Sequence, residues 1–383
     1  MTTVLTTATL DAAGVGLVMP ILPTLLARIG TADAAVPLHV GLLTALYAVM
    51  QFICAPLLGR LSDRYGRRPV LLISLAGATI DYLVLALASS LWILYPARAI
   101  AGITGATNAV TATVITDITP THERAKRYGW LGACYGGGMI AGPAIGGFFG
   151  ALSPHLPFLI AAILTTVNLL LSLTLLQETR PQPGDETQNF TPAASTLTAI
   201  PGMALLLTAF GLVQFIGQAP GSTWVLFTQH RLAWNPGAVG ISLSVFGLIQ
   251  VIVQAMLTGP IVKRVGEVKA VLLGIVTDAA GLIGLVFVVD DWAMVPILMA
   301  LGLGSITVPA LQTLLSQRAP GHRQGRLQGT LAGLNSLSSI VGPLIFTSIF
   351  ALTRTGADGG LWLCAVVFYL PCTILFLCAA RRQ

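Results

Sequence analysis

Three carboxylates and one guanidinium lie where the chain is otherwise apolar: Asp11, Asp81, Asp278 and Arg98. An Asp or Arg at the centre of a membrane helix costs about 2.5 to 3.5 kcal/mol on insertion scales, so such residues face a cavity, a partner or a pathway. One use is structural, an Asp–Arg pair that locks two helices, with Asp11 or Asp81 as the partner of Arg98. The other is transport, because a carboxyl group binds a proton and gives it up on hydration or when a cation arrives. The histidines do not suit that task, since His39, His122, His155, His230 and His322 all fall in loops or at segment ends. No metal-ligand spacing and no nucleophile–base pair occurs at depth, which argues against a membrane-embedded enzyme and against a bound metal.

The elements that must position these residues are apolar. Of 383 residues, 55% are hydrophobic and 9% charged, against about 25% charged in soluble domains, which excludes a water-soluble enzyme. Twelve stretches are each long enough to cross about 30 Å of hydrocarbon: 4–27, 38–59, 70–88, 92–116, 127–150, 156–177, 200–222, 238–260, 269–289, 293–315, 326–351 and 359–380. The first is too long, and lacks the basic leader, for a cleavable signal peptide. The predicted class is an all-α integral membrane protein. Cys54, Cys134, Cys364, Cys372 and Cys378 all fall in apolar segments, with no disulfide pattern. Polar, Pro-rich residues beginning ETRPQPGDETQNF read as a linker, 178–199, between an N-terminal half, 1–177, and a C-terminal half, 200–383.

The halves are repeats. GRLSDRYGRRP, Gly59 to Pro69, has a worn copy 200 residues on in GPIVKRVGEVK, Gly259 to Lys269. The same offset of 200 aligns Gly102 with Gly302, Pro120 with Pro320, His122 with His322, Gly129 with Gly329, and Gly142–Pro143 with Gly342–Pro343. A parallel repeat in a hydrophobic chain is how two six-helix halves of many secondary transporters arise, with substrate bound near the midplane between them. Asp278 lies three residues short of the equivalent of Asp81, about one helical turn, so the two carboxylates occupy similar faces of matching helices.

Of the 20 basic residues, 16 fall on one side of the predicted spans. The positive-inside rule makes that side cytoplasmic, with both termini and the linker. Spread over short loops, the +6 net charge is a topology signal rather than a nucleic-acid footprint.

Uncharged polar residues inside the spans, Gln51, Asn108, Gln214, Gln218, Gln250, Gln254, Gln312 and Asn335, are interhelical glue or contacts to a substrate rich in hydroxyl and carbonyl groups. Phe210, Phe215, Trp224 and Phe246 could add flat surfaces for a ring system or could be core. In GRLSDRYGRRP the glycines permit a tight loop, and Asp63 can cap a neighbouring helix or pair with Arg67. Arg64 and Arg68 hold the loop on the cytoplasmic face; such a charge network can act as a gate. Asp117 ends the fourth stretch at the rim, where it can be solvated. The fifth stretch, GWLGACYGGGMIAGPAIGG, spaces Gly129, Gly138, Gly142, Pro143, Gly146 and Gly147 for a kink and a close, water-excluding contact.

With these motifs the chain resembles the major facilitator superfamily, and within it the tetracycline/proton antiporters. DAAGVGLVMPILPTLL, SLAGATIDYL, AGITGAT, SPHLPF, IGQAPGSTWVLFTQHRLAWN, VPALQTLLS and RLQGTLAGLNSLSSIVGPLIFT are similar to stretches of those exporters nearly end to end. The resemblance implies two six-helix bundles in a bacterial cytoplasmic membrane that expel a magnesium–tetracycline complex in exchange for a proton. It places essential carboxylates at Asp11, Asp81 and Asp278, and gating charges at Asp63 and Arg67. Two positions depart: better-known members have His where this chain has Gln250, which does not titrate, and Gly where it has Asn108. Those departures keep a second expectation open, an exporter of another drug or metabolite on the same scaffold. A proton–nutrient symporter fits the glycine-rich fifth stretch less well.

Overall fold

A computed structural model describes residues 1–105, 107–120, 123–179, 200–320, 323–354 and 359–380; the side chains of Asn108, Arg124 and Ala125, the histidines His122 and His322, and most of the linker lie outside the described residues. The described residues are helical, with no strand among them. They comprise α1 (Thr2–Val18), α2 (Leu22–Arg28), α3 (Val36–Tyr65), α4 (Arg67–Leu87), α5 (Leu91–Thr104), α6 (Thr107–Ile118), α7 (Arg124–Leu152) and α8 (Leu156–Leu175). There follow α9 (Met203–Leu232), α10 (Pro236–Ile252), a π turn at Val253–Leu257, α11 (Thr258–Val265) and α12 (Glu267–Phe287). The chain continues through α13 (Met294–Gly304), α14 (Thr307–Arg318), α15 (Gln324–Thr353), α16 (Gly360–Val367) and α17 (Tyr369–Ala380).

Among the described residues, ten helical segments are long and apolar enough to cross a membrane, and α1 with α2, bent by 46°, makes an eleventh. The twelfth predicted span is α7, 29 residues long. Its many glycines dilute its apolarity, although its length suffices to span. This is a multi-pass membrane protein. Trp92 and Trp292, one repeat apart, are 75% and 85% exposed, as amphipathic rings at a membrane–water interface are.

Several predicted stretches are broken, for a common reason. Proline clashes with the carbonyl four residues before it. Pro23, Pro309 and Pro371 lie just past the breaks at Met19–Ile21, Ser305–Ile306 and Phe368, respectively. The break between α5 and α6 has no such proline; it falls at Gly105, 200 residues before the α13–α14 break. Helix boundaries follow the repeat elsewhere too: α4 and α12 begin and end 200 residues apart. Each is preceded by a glycine in the left-handed region, Gly66 at φ 106° and Gly266 at φ 82°, where a Cβ is strained.

The chain forms two compact units, Met1–Phe190 with Trp234–Ser244, and Thr191–Ala233 with Val245–Gln383. The first turns of α10 thus belong with the first unit rather than with the half that follows the linker. In the first unit, Gly138, Gly142 and Gly146 of α7 face Thr9, Ala13 and Leu17 of α1, so a stripe of glycines meets backbone four residues at a time. A methyl at Gly142 would come within 2.6 Å of the Ala13 carbonyl oxygen. On another side of α7, Pro143 and Gly147 meet Gly240 of α10, and the Ser244 hydroxyl donates to the Ile140 carbonyl at 2.6 Å. Val4, Leu58, Val70, Leu71, Leu75, Val110, Val114 and Ile115 close a core over α1, α3, α4 and α6. In the second unit, Phe227 stacks edge-on against Trp362 at 5.0 Å, and Phe215 packs tilted by 37° against Phe346 at 4.9 Å. Phe210 and Trp224, candidate substrate surfaces from sequence, are buried core residues.

Candidate functional site

The motif between α3 and α4 is not a loop but a single residue. Gly59 is helical, and Gly66 alone separates the two helices. Its conformation brings Arg67 back over the end of α3, where Nη1 bonds Asp63 at 2.5 Å and Ser62 at 3.3 Å. Nε of the same guanidinium bonds Asp117, at the end of α6, at 2.9 Å. The sequence expectation that Asp117 is solvated is therefore corrected: its side chain is only 10% exposed, whereas that of Asp63 is 70% exposed. The burial follows from α6 packing on α4, which sets Asp117 against the planar fork of Arg67.

Asp63 does not cap the next helix. That position belongs to Glu178, which accepts from the backbone N–H of Arg67 at 2.7 Å and of Arg68 at 3.2 Å. The carboxylate thereby satisfies two orphan donors at the positive end of α4. A side chain at Gly66 would collide with Glu178. Arg68 donates to the Leu173 carbonyl at 2.5 Å and Arg64 lies 5.4 Å from the Tyr65 ring centre. Three helices and the start of the linker segment are thus tied to one guanidinium and one carboxylate.

Deeper in the same unit, Arg98 of α5 reaches Asp81 of α4 through Nε at 3.1 Å and through Nη2. Of the two partners left open by the sequence, the structure selects Asp81. Both side chains are enclosed, at 3% and 14% exposure for Asp81 and Arg98. The guanidinium also lies 5.9 Å from the Tyr47 ring centre, within cation–π range. Tyr47 accepts from Gln51 Nε2 at 3.3 Å, and the same amide donates to the Gly105 carbonyl at 3.0 Å. Gln51 therefore satisfies a carbonyl freed by the α5–α6 break. Beyond the break Thr107 starts α6 with its side chain beside the half-buried Asp11. A continuous polar path runs from Asp81 through Arg98, Tyr47 and Gln51 to the break.

The second unit has a different centre. Asp278 of α12 packs on Gly304, the last residue of α13, and accepts a hydrogen bond from Tyr369 at the start of α17. No cation pairs with it among the described residues. At the corresponding crossing of the first unit the bulk is reversed, with Thr104 of α5 filling the space over Gly77 of α4. Thr307, the repeat equivalent of Thr107, is buried with no hydrogen-bond partner for its hydroxyl among the described residues, and the position matching Asp11 is Gly211.

The candidate substrate residues divide. Gln51 is committed to the break, and Asn335 accepts from Gln214 at 2.6 Å on the facing helix α9. Gln218 packs against Gly342. Gln250 is half-buried, and Gln254 is exposed within the π turn, a local widening common at functional sites. The Asn108 side chain lies outside the described residues. Of the histidines, His39 bonds the Tyr95 hydroxyl at 2.8 Å and His155 the Ala86 carbonyl at 2.9 Å, both at helix ends. Sequence reasoning missed Glu178, Tyr47 and Tyr369. The first was absorbed into the linker, and the two tyrosines carry no charge to mark them among apolar neighbours.

Buried carboxylates beside paired broken helices, in a duplicated all-helical membrane chain, define a secondary transporter. The chain belongs to the Major Facilitator Superfamily, whose sequence pattern matches residues 4–224 and again 206–382. It is 48% identical over 376 residues to the tetracycline resistance protein, class C, of Escherichia coli, covering 96% of this chain and 94% of that one. It is 46% identical over 375 residues to the class B protein of Escherichia coli, covering 96% and 92%. Among solved structures, the nucleoside transporter NupG shares the fold with a TM-score of 0.79 at 13% identity, over 99% of this chain and 98% of that one.

Proposed function

We propose that this chain is a proton-coupled antiporter that expels tetracycline from the cytoplasm, as a complex with a divalent cation such as Mg2+, and so confers resistance. The observation that carries the reading is its 48% identity to a tetracycline resistance protein across nearly the whole length of both chains. The buried carboxylates support it, since a membrane carboxylate is retained against an insertion cost only where it has a task. Asp278 is the proton carrier, and Asp11 lies beside the first-unit break where drug and proton compete. Asp81 and Arg98 hold α4 to α5. Asn108, Gln218, Gln250, Gln254 and Asn335 contact the drug; Gln51 shapes the break. Asp63, Arg64, Arg67 and Arg68 gate the cytoplasmic end, while Gly142 and Pro143 close the packing of α7.

The repeats 1–177 and 200–383, joined by 178–199, alternate access across a bacterial cytoplasmic membrane, with both termini on the cytoplasmic side as the distribution of Lys and Arg directs. Exchange of a monocationic complex for one proton moves no net charge, so the pH gradient drives it; a second proton would add about 2.3 kcal/mol per 100 mV. The test is uptake into inverted membrane vesicles under an imposed pH gradient. Tetracycline with Mg2+ is taken up, and its removal by a chelator lowers uptake. Uptake of unrelated drugs but not of tetracycline would favour a second reading, export of another compound, which the residues Gln250 and Asn108 motivate.

A further inference from the structure

The two units treat their buried carboxylates unlike each other, and the difference singles out a residue on α17. Asp81 is neutralised by Arg98. Asp278 has instead a phenol, and that phenol comes from a helix start. Tyr369 is the first residue of α17, directly after the break at Phe368, and is 6% exposed. The break places its ring across α12, where its hydroxyl donates to Asp278 Oδ2. The same side chain is seated on Gly304, with Oδ1 2.7 Å from where a Cβ would stand. Asp278 thus touches the end of α13 and the start of α17, and Tyr369 is its one side-chain donor among the described residues.

Other titratable groups on the elements packed against α12 are few. No residue of α13 titrates, and on α14 only Arg318 does, which donates to the Ala379 carbonyl at 3.3 Å. On α16 there is Cys364, which is exposed. On α17, Cys372 donates to the Ala209 carbonyl at 3.6 Å, and Cys378 is exposed. Lys263 and Arg264 of α11 lie at its exposed end. Tyr369 is thus the titratable group with a hydrogen bond to Asp278.

We propose that Tyr369 is the positioning residue of Asp278: its hydroxyl orients the carboxylate against the α13–α14 break and sets the pH at which that carboxyl exchanges its proton. The proposal rests on the reading of Asp278 as the proton carrier. A carboxylate that loses its donor also loses stabilisation of its ionised form, so it keeps its proton to higher pH.

The test compares Tyr369→Phe, which keeps the ring and removes the hydroxyl, with Asp278→Asn and wild type in inverted vesicles at matched protein content. Tetracycline-driven proton release is followed from pH 5.5 to 8.5. Tyr369→Phe is expected to move the profile about one unit toward alkaline pH, the size of a hydrogen bond to a charged group, with little change in the drug concentration giving half-maximal rate. The second readout needs no transport. A hydrophobic carbodiimide reacts with protonated carboxyls, and labelling of the peptide carrying Asp278 should persist about one pH unit higher in the Tyr369→Phe protein. An unmoved profile and unmoved labelling, with Asp278→Asn inactive, overturn the role of Tyr369. Coupled exchange at wild-type rate in Asp278→Asn overturns instead the reading beneath it.

Discussion

Asp278 stands one helical turn short of the repeat position of Asp81, and the two carboxylates have opposite kinds of partner. Asp81 is held by a guanidinium at 3.1 Å and a second contact, whereas Asp278 meets a neutral phenol and a glycine backbone. A paired carboxylate is a poor proton carrier, because protonation abandons a buried cation. The matching helices α4 and α12 thus carry one carboxylate paired with a cation and one whose hydrogen-bond donor is uncharged.

This difference predicts a double-mutant result. Arg98→Ala leaves Asp81 buried and alone, a change of about 3–5 kcal/mol for a broken buried pair. Arg98→Gln with Asp81→Asn together should recover most of that loss, because no charge remains unpaired. Thermal unfolding of the detergent-solubilised proteins reads both values; equal destabilisation in single and double variants would show that the pair does not lock α4 to α5.

The network around Arg67 predicts an order. Asp117→Ala should slow turnover more than Asp63→Ala, since Asp117 is enclosed and Asp63 mostly exposed, and exposed pairs contribute about 0.2–1 kcal/mol. Arg67→Ala removes both pairs and should be the slowest. In each the drug affinity should hold within about twofold, as a network that biases a conformational equilibrium does not touch substrate. Initial rates of drug uptake against drug concentration separate the two effects, and affinity falling while maximal rate holds would assign these charges to binding.

Within α7, glycines that look alike in sequence should differ. Gly142→Ala meets the Ala13 carbonyl at 2.6 Å and the Gly16 Cα at 2.8 Å, an overpacking that costs about 1–3 kcal/mol. Gly129→Ala meets nothing within 4 Å and should leave the melting temperature unchanged, or raise it slightly through helix propensity. Comparable melting temperatures for the two variants would remove the α1–α7 contact as the reason for the glycine pattern.

Gln250 offers a gain-of-function test. Its amide does not titrate, while His in its place adds a group with an unperturbed pKa of about 6.5. Gln250→His should reshape the dependence of exchange rate on pH between about 5.5 and 7.5. A change in apparent drug affinity with the pH profile intact would place the side chain in the drug cavity alone.

Much of this was legible in the chain itself. Membrane spans announce themselves by composition, and the 200-residue offset survives at Gly66 and Gly266 because only glycine takes that backbone angle without strain. The buried charges were visible because they are expensive. What the sequence hid were relations across space. Asp117 reads as a rim residue until α6 is laid against α4 and Arg67 turns back over Gly66. Glu178 reads as linker until its carboxylate is seen on the first N–H groups of α4. The breaks within single apolar runs left only a proline a few residues on as a trace, and at Gly105 not even that. Tyr369 is one tyrosine in an apolar segment, and only the break at Phe368 gives it meaning.

The central claim is that drug leaves against a proton carried by Asp278. The most direct measurement is proton release from inverted vesicles on addition of tetracycline with Mg2+, wild type against Asp278→Asn, with equal amounts of inserted protein confirmed in both. The account predicts release in wild type and at least a hundredfold loss, about 2.7 kcal/mol or more of lost coupling, in Asp278→Asn. Release at the wild-type rate from the Asp278→Asn protein would contradict it.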